Sequence, residues 1–397
     1  MENSEDFFEK LKALLDQKGS LFLEDVNITV DQLKAHISPV LQQAQMQAMK
    51  KKLPDFKWVS TQIPPLPPKS FHPIEEIEFS RSNGRSVKIG GDKTLPYLTF
   101  LQDKHGKILK NPNSPVVTFD VFDMKIKLPK VIKNAYREVL TDPAGWAELA
   151  EKYGADLITM HFVSTDPGVN DTPVSKARQV LEDVLERVKC PVIIGGSGNK
   201  KKDTELFEEL GAITQGERLM LSSADKITID KVVPIARKYE HNVLLWAQLD
   251  INDQSKLVED ALSMGIPRNQ IVLDPTCATL GYGLEYSYSI YQQIRLAGLK
   301  GDSNLNFPLS AGTTNAWGAR ESHMKKINHV PNHGGNRFLR GPIWEITTAL
   351  AMSLVGLNLA MMLHPLSAQI FKEMVNDLST VTFQYPDNYL DWVSANY

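Results

Sequence analysis

Cysteine is nearly absent from this chain. Its 397 residues include two, Cys190 and Cys277, far apart in sequence. Two such thiols cannot by themselves hold a four-cysteine iron–sulfur cluster or a structural zinc, and in a reducing compartment they imply no disulfide. Long apolar runs are missing too. The longest, residues 349–363, spans 15 residues and includes Gly356 and Asn358. A membrane-spanning helix needs about 20, so this run reads as a buried helix turning directly into a buried strand. No sign of charge dominates: the net charge is −3, which gives no reason to expect nucleic acid or an anionic membrane as partner. Residues 1–17 are acidic and amphipathic, without a basic start leading into an apolar core. No secretory signal is read there, and a cytoplasmic protein is expected.

What remains is ordinary globular material, 42% apolar and 23% charged. Residues 3–17 read as a helix with Phe7, Phe8, Leu11, Leu14 and Leu15 on one stripe. A second helical stretch, 31–52, is bent at Pro39. The run IPPLPP at 63–68 is a stiff extended linker, so residues 1–68 form a helical N-terminal region. Residues 69–115 hold a β-hairpin extension that turns at Asn83-Gly84.

From Val116 the period changes. Short apolar runs at 116–121, 157–163, 192–194, 219–222, 243–249, 271–273, 307–309 and 357–362 alternate with amphipathic stretches such as 174–188, 204–210, 229–239, 256–264 and 343–355. The runs are nearly continuous in hydrophobicity, as strands buried on both faces should be. Eight strands each followed by a helix close most simply as an α/β fold of the (β/α)8 TIM barrel type, here over 116–373, leaving 374–397 as a tail. An open doubly wound sheet would want a Gly-rich phosphate turn after the first strand, and TFDVFDM at 118–124 has no glycine.

Barrel sites lie at the C-terminal ends of strands. The residues there are Asp120 and Asp123, His161 and Asp166, Asn199, Ser222 and Ser223, Gln248 and Asp250, Asp274 and Thr276, Ser310 with Thr313 and Thr314, and His364. The acids could bind a hard cation, act as acid and base, or accept hydrogen bonds from a heterocycle. Several could equally cap helices or build turns, Asp166 and Asp274 each preceding a proline. The loop GGSGNKKKD at 195–203 lacks the Walker spacing, and its lysines read as the solvated edge of a flexible turn. His323, His329 and His333 read as loop histidines, since a proline interrupts HVPNH.

Seven motifs in order carry a resemblance: TFDVFDM at 118–124, VSTDP at 163–167, IGGSGN at 194–199, LDPT at 273–276, LGYGLEY at 280–286, SAGTTNAWGARE at 310–321 and RGPIWE at 340–345. Together, over about residues 58–373, they closely resemble the delta subunit family of acetyl-CoA decarbonylase/synthase, the small subunit of the corrinoid iron–sulfur protein. The resemblance implies a barrel that caps a cobamide (corrinoid) shared with a large (gamma) subunit as a heterodimer. It implies that the large subunit holds the iron–sulfur cluster, with none in this chain. It further implies transient contact with a methyl-tetrahydropterin methyltransferase and with the acetyl-CoA synthase subunit, whose nickel site exchanges the methyl group. The chain has no D-x-H-x-x-G signature that would supply a lower-axial histidine, in keeping with a cobamide seated in a partner's pocket. Under that implication the corrinoid-facing candidates are Asp120, Asp166, Asn199, Ser222, Gln248, Asp250, Asp274, Thr276, Gly312, Thr313, Thr314 and Asn315, with no catalytic residue and no metal ligand expected. A self-sufficient pterin-binding methyltransferase and a purely structural subunit remain the alternatives.

Overall fold

The computed structural model describes residues 72–97, 111–328 and 330–380. The helices expected at 3–17 and 31–52, the linker at 63–68 and His329 lie outside the described residues.

Eight parallel strands form a closed barrel in the order β10-β3-β4-β5-β6-β7-β8-β9. They are β3 (Val116–Phe122), β4 (Leu157–His161), β5 (Val192–Gly195), β6 (Met220–Ala224), β7 (Asn242–Trp246), β8 (Ile271–Asp274), β9 (Leu309–Ala311) and β10 (Leu357–Met362). Around them run α2 (Pro143–Lys152), α3 (Val174–Arg187), α4 (Lys200–Ile213), α5 (Ile229–Lys238), α6 (Ile251–Ser263), α7 (Leu284–Leu299), α9 (Arg337–Ser353) and α10 (Pro365–Thr380). Two short helices, α1 (Lys130–Tyr136) and α8 (Arg320–His323), sit in the connections. The last helix runs seven residues past the barrel end expected at 373.

Alternation along each strand divides the core. Val117, Phe119 and Val121 of β3 pack outward into the helix layer, as do Ile158 and Met160 of β4. The intervening residues face the axis. Near the strands' N-terminal ends Leu157, Ile193, Met220, Leu244, Val272 and Leu359 fill the barrel and meet Ile77, Phe79 and Ile89. Those last three come from an antiparallel hairpin, β1 (Glu76–Ser80) and β2 (Ser86–Gly90), so the hairpin plugs the bottom of the barrel. It is fastened by Ser80 N–H to Arg218 O (3.0 Å), by the return bond from Arg218 N–H (2.8 Å), and by Asn242 Nδ2 to Glu78 O (2.9 Å). Gly84 in its turn lies against Lys189 O, where a Cβ would come within 2.3 Å; only glycine tolerates that approach. With the bottom sealed, the C-terminal mouth is the open end.

Candidate functional site at the barrel mouth

Axis-facing positions on β3 and β4 build the centre of the mouth. Thr118 and Thr159 share a buried hydrogen bond of 2.7 Å. One layer nearer the mouth, His161 Nε2 lies 2.9 Å from Asp120 Oδ1. Thr314 Oγ1 donates to the other carboxylate oxygen at 2.5 Å, and Asp120 is only 4% exposed. The His161 ring is held from one side by Phe122, stacked at 5.0 Å and 20°. Thr313 Oγ1 donates to Met361 O (2.5 Å), so the turn after β9 is tied to β10 as well as to β3. Asn315, although exposed, donates from Nδ2 to Cys277 O (2.8 Å), linking that turn to β8. Asp120, Thr313, Thr314 and Asn315 are therefore brought together, while Gly312 opens the short 3-10 turn that carries them.

The other candidates serve their own loops. Asn199 caps α4 by accepting from Lys202 N–H (3.2 Å), and Asp250 caps α6 by accepting from Asn252 and Asp253 N–H (2.7 and 3.0 Å). Asp166 accepts from Gly168 N–H (2.7 Å) and Asp274 from Thr276 N–H (2.9 Å). These last two make turns, since helices α3 and α7 start only at Val174 and Leu284. Thr276 also donates to Ala247 O (2.7 Å). Gln248 is exposed beyond the end of β7, which stops at Trp246 rather than running to 249. The expected flexible turn at 200–202 is instead the first turn of α4. Lys200 pairs with Asp225 (2.7 Å) and Lys202 with Asp171 (3.0 Å), while Lys200 and Lys201 remain exposed as a solvated edge. Asp250→Ala should accordingly cost about 1 kcal/mol of stability, as loss of a helix cap does, visible as a small drop in the urea midpoint at unchanged slope.

A cleft of about 530 Å³ opens beside the Asp120–His161 pair, lined by His161, Gly196, Asp203, Ser222, Ser223 and Trp246 among others. Asp203 shapes it: its carboxylate accepts from Ser197 N–H (2.7 Å), Ser197 Oγ (2.8 Å) and Gly198 N–H (2.9 Å), closing the Gly-rich loop into a rigid cup. Burial pushes its carboxyl up from the usual range, and does the same at Asp123, which accepts from Ser164 N–H and Oγ. Burial raises Asp274 further, to about 7.

Two groups lie under the rim, of which His364 is expected at a strand end and Glu345 is not singled out by pattern. Glu345 of α9 is fully buried and accepts from Leu363 N–H (2.6 Å) and His364 N–H (3.2 Å), fixing the turn after β10; burial pushes it up to about 7. His364 stacks on Trp317 (5.7 Å, 28°), and burial lowers it to about 4. The available signal was Glu345 itself, a lone charge in the otherwise uncharged run 341–356.

Both cysteines are buried and free, and burial raises both thiols, Cys190 to about 12. Among the described residues, no group of three His, Cys, Asp or Glu side chains is placed to hold a metal ion, and no helix is long and apolar enough to cross a membrane.

Similarity to known proteins points to a family. The family described as CO dehydrogenase/acetyl-CoA synthase delta subunit matches residues 76–352. A delta subunit of the acetyl-CoA decarbonylase/synthase complex from Archaeoglobus fulgidus is 47% identical over 297 residues, 74% of this chain and 64% of the relative, so this chain spans just under two thirds of that protein. One from Methanothermobacter thermautotrophicus is 36% identical over 402 residues, 98% of this chain and 97% of the relative. Among solved structures, a dihydropteroate synthase from Coxiella burnetii in complex with pteroic acid aligns with a TM-score of 0.47 at 10% identity, covering 77% of this chain and 100% of that one. By sequence, the chain belongs to the CO dehydrogenase/acetyl-CoA synthase delta subunit family.

Proposed function

We propose that this chain is the barrel subunit of a corrinoid iron–sulfur protein. In this reading its mouth caps a cobamide held by a large (gamma) subunit while a methyl group passes between a methyl-tetrahydropterin and the nickel site of acetyl-CoA synthase. The family membership supports a place in that complex. The observation that carries the capping role is the state of the mouth's polar groups. Asp166, Asn199, Asp203, Asp250 and Asp274 all accept hydrogen bonds from their own loops. Such a rim is a preorganised receiving surface, without a nucleophile paired to a base.

The residues present fit the periphery of a cobamide rather than its metal. A corrin is edged with neutral amides, which suit an open polar mouth. The two imidazoles at the mouth are held by contacts within the barrel, His161 through Nε2 by Asp120 and His364 by its stack on Trp317. When bound, the cobamide supplies a cobalt that takes up and gives back the methyl group. This chain's part is to exclude water and oxidants from one face and to hold the rim steady, with His161 and Thr314 pinned by Asp120.

The test is co-expression of the full chain with the large subunit, followed by cobalt analysis and a visible spectrum. Cobamide retention and methyl transfer should rise when this chain is present, and the isolated chain should transfer no methyl group. Identical cobamide content with and without it would leave only a structural role. Tight pterin binding by the isolated chain would point instead to a self-sufficient methyltransferase.

A further inference from the structure

The outer helices of the barrel are not alike. On α3 all six ionisable residues, among them Arg178 and Glu182, are exposed, while Ala177, Leu181 and Val184 face the core; this is an ordinary solvent-facing amphipathic helix. On the neighbouring helices α7 and α9 the pattern fails. Tyrosines aside, their only ionisable residues are Glu285, Arg295, Arg337, Arg340 and Glu345; of these only Glu285 is exposed, together with the uncharged Ser289, Gln292 and Gln293 of α7. The outer side of α9 is apolar: Leu339, Ile343, Ile346, Leu350 and Leu354 recur at steps of three and four, one continuous stripe along its whole length. Its inner side is buried through Gly341, Ala349 and Met352. A helix apolar on every side belongs in an interior, yet Leu339, Ile343 and Leu354 are 46%, 51% and 46% exposed. Tyr282 and Tyr286, at 51% and 65%, extend the same surface onto the start of α7.

We infer that the α7–α9 face is the docking surface for a second, non-identical polypeptide with an apolar, uncharged contact face, namely the large subunit of the proposed pair. Three features select that occupant. The first is size. Helices of 16 and 17 residues are about 25 Å long and pack about 10 Å apart, giving a footprint near 500 Å² before side-chain relief, approaching the roughly 800 Å² per partner of a stable interface. A patch of a few hundred Å² is of the size that, on a monomer, often marks an interaction site. The second is charge: the α9 stripe carries no charged side chain, so an apolar partner face covers it without desolvating an ion. The third is position. Tyr282, hydrogen-bonded to Glu321 at the rim, and Leu339 lie at the mouth ends of their helices, so a body seated there stands beside the open mouth and reaches over it. A second copy would bring only another open mouth. The inference rests on the proposed pairing and adds where the partner sits.

The test uses the full-length chain and the large corrinoid iron–sulfur subunit of the proposed pair. Ile343→Lys and Leu350→Lys place a charge on the stripe; Gln179→Lys, exposed on α3, is the control. Association is measured by sedimentation and light scattering, and the thermal midpoint of each isolated chain is measured alongside. Each stripe variant should weaken pairing by about 100-fold, the size of a buried-centre substitution, and the control by less than about twofold. Isolated midpoints should stay within about 2 °C of the parent. Undiminished pairing of both stripe variants would overturn the surface while leaving the proposed pairing intact. So would a parent chain that dimerises alone and is dissociated by Ile343→Lys, or stripe variants whose isolated midpoint drops by more than about 5 °C, since the face would then take a second copy or the chain's own outlying segment. A parent chain that does not pair with the large subunit at all would remove both readings.

Discussion

Replacing Glu345 by alanine is expected to cost about 4 kcal/mol at pH 5 and only about 1 to 2 kcal/mol at pH 8. The substitution takes the acceptor from two buried backbone donors, Leu363 N–H and His364 N–H. An unsatisfied buried amide costs about 1 to 3 kcal/mol, and the vacated space adds a cavity term. Against this stands the burial of the carboxyl itself, which raises it from 4.5 to about 7. Below pH 4.5 both folded and unfolded chains carry it protonated, and burial costs nothing in charge. Between 4.5 and about 7 the unfolded chain ionises first, so stability falls as pH rises, by about 3 kcal/mol in all. Alanine removes that penalty along with the bonds, which is why its cost shrinks at pH 8. Glu345→Gln separates the two effects. The amide keeps one acceptor and never ionises, so it should be less stable than the parent at pH 5 and equal or better at pH 8. His364, lowered to about 4, acts in the opposite sense as pH falls, but it is present in every variant and cancels in the differences. Urea unfolding at the two pH values decides the matter. Parallel stability curves for parent and Glu345→Gln would show that this carboxyl does not titrate between them.

The fold was legible because of a two-sided burial requirement. A strand with helices outside and side chains inside must be apolar along its whole length, and β3 and β10 occupy almost the runs that hydrophobicity marks, 116–121 and 357–362. Where the expectation overran, polarity at the mouth was the reason. The run at 243–249 continues past Trp246 beyond the regular strand; Ala247 and Leu249 N–H still donate to Asp274 O and Pro275 O, but Leu249 adopts a left-handed φ of 53°. The hairpin turn was legible at Asn83-Gly84, but its place under the barrel was not, because Ile77, Phe79 and Ile89 find their partners on six distant strands. The site was legible as an inventory rather than as a geometry. Asp120 and Asp250 look alike in sequence, each an acid at the end of an apolar run. One is buried across from His161 and Thr314; the other caps a helix in solvent. Register across β3 and β4, together with a turn almost 200 residues later, makes that difference, and no local pattern encodes it.

That contrast yields the largest effect expected on function. Under the proposed function, Asp120→Ala should lower methyl transfer by the assembled pair about 100-fold, equivalent to about 2.7 kcal/mol in the barrier, while Asp250→Ala should change it by less than about threefold, as loss of a cap remote from the centre would. Asp120 is the only candidate whose two carboxylate oxygens reach side chains of two other strand ends, His161 at 2.9 Å and Thr314 at 2.5 Å. Alanine frees both and leaves a cavity among buried groups. The His161 ring would keep only its stack on Phe122, and a rim loosened by an ångström forfeits much of the advantage of preorganisation. Asp120→Asn should fall between, at about tenfold, because the amide can still accept from His161 while its nitrogen turns to Thr314. Thr314 supplies an independent check. Thr314→Ser keeps the hydroxyl and should retain most of the rate; Thr314→Val keeps the shape, loses the donor and should follow Asp120→Asn. Methyl transfer by the reconstituted pair is the measurement, with cobamide content and circular dichroism confirming that each variant is folded and loaded. If Asp120→Ala kept more than half the parent rate, the Asp120–His161–Thr314 unit would be a fixture of the fold, and the receiving surface would have to be sought in the cup formed by Asp203 and the Gly-rich loop.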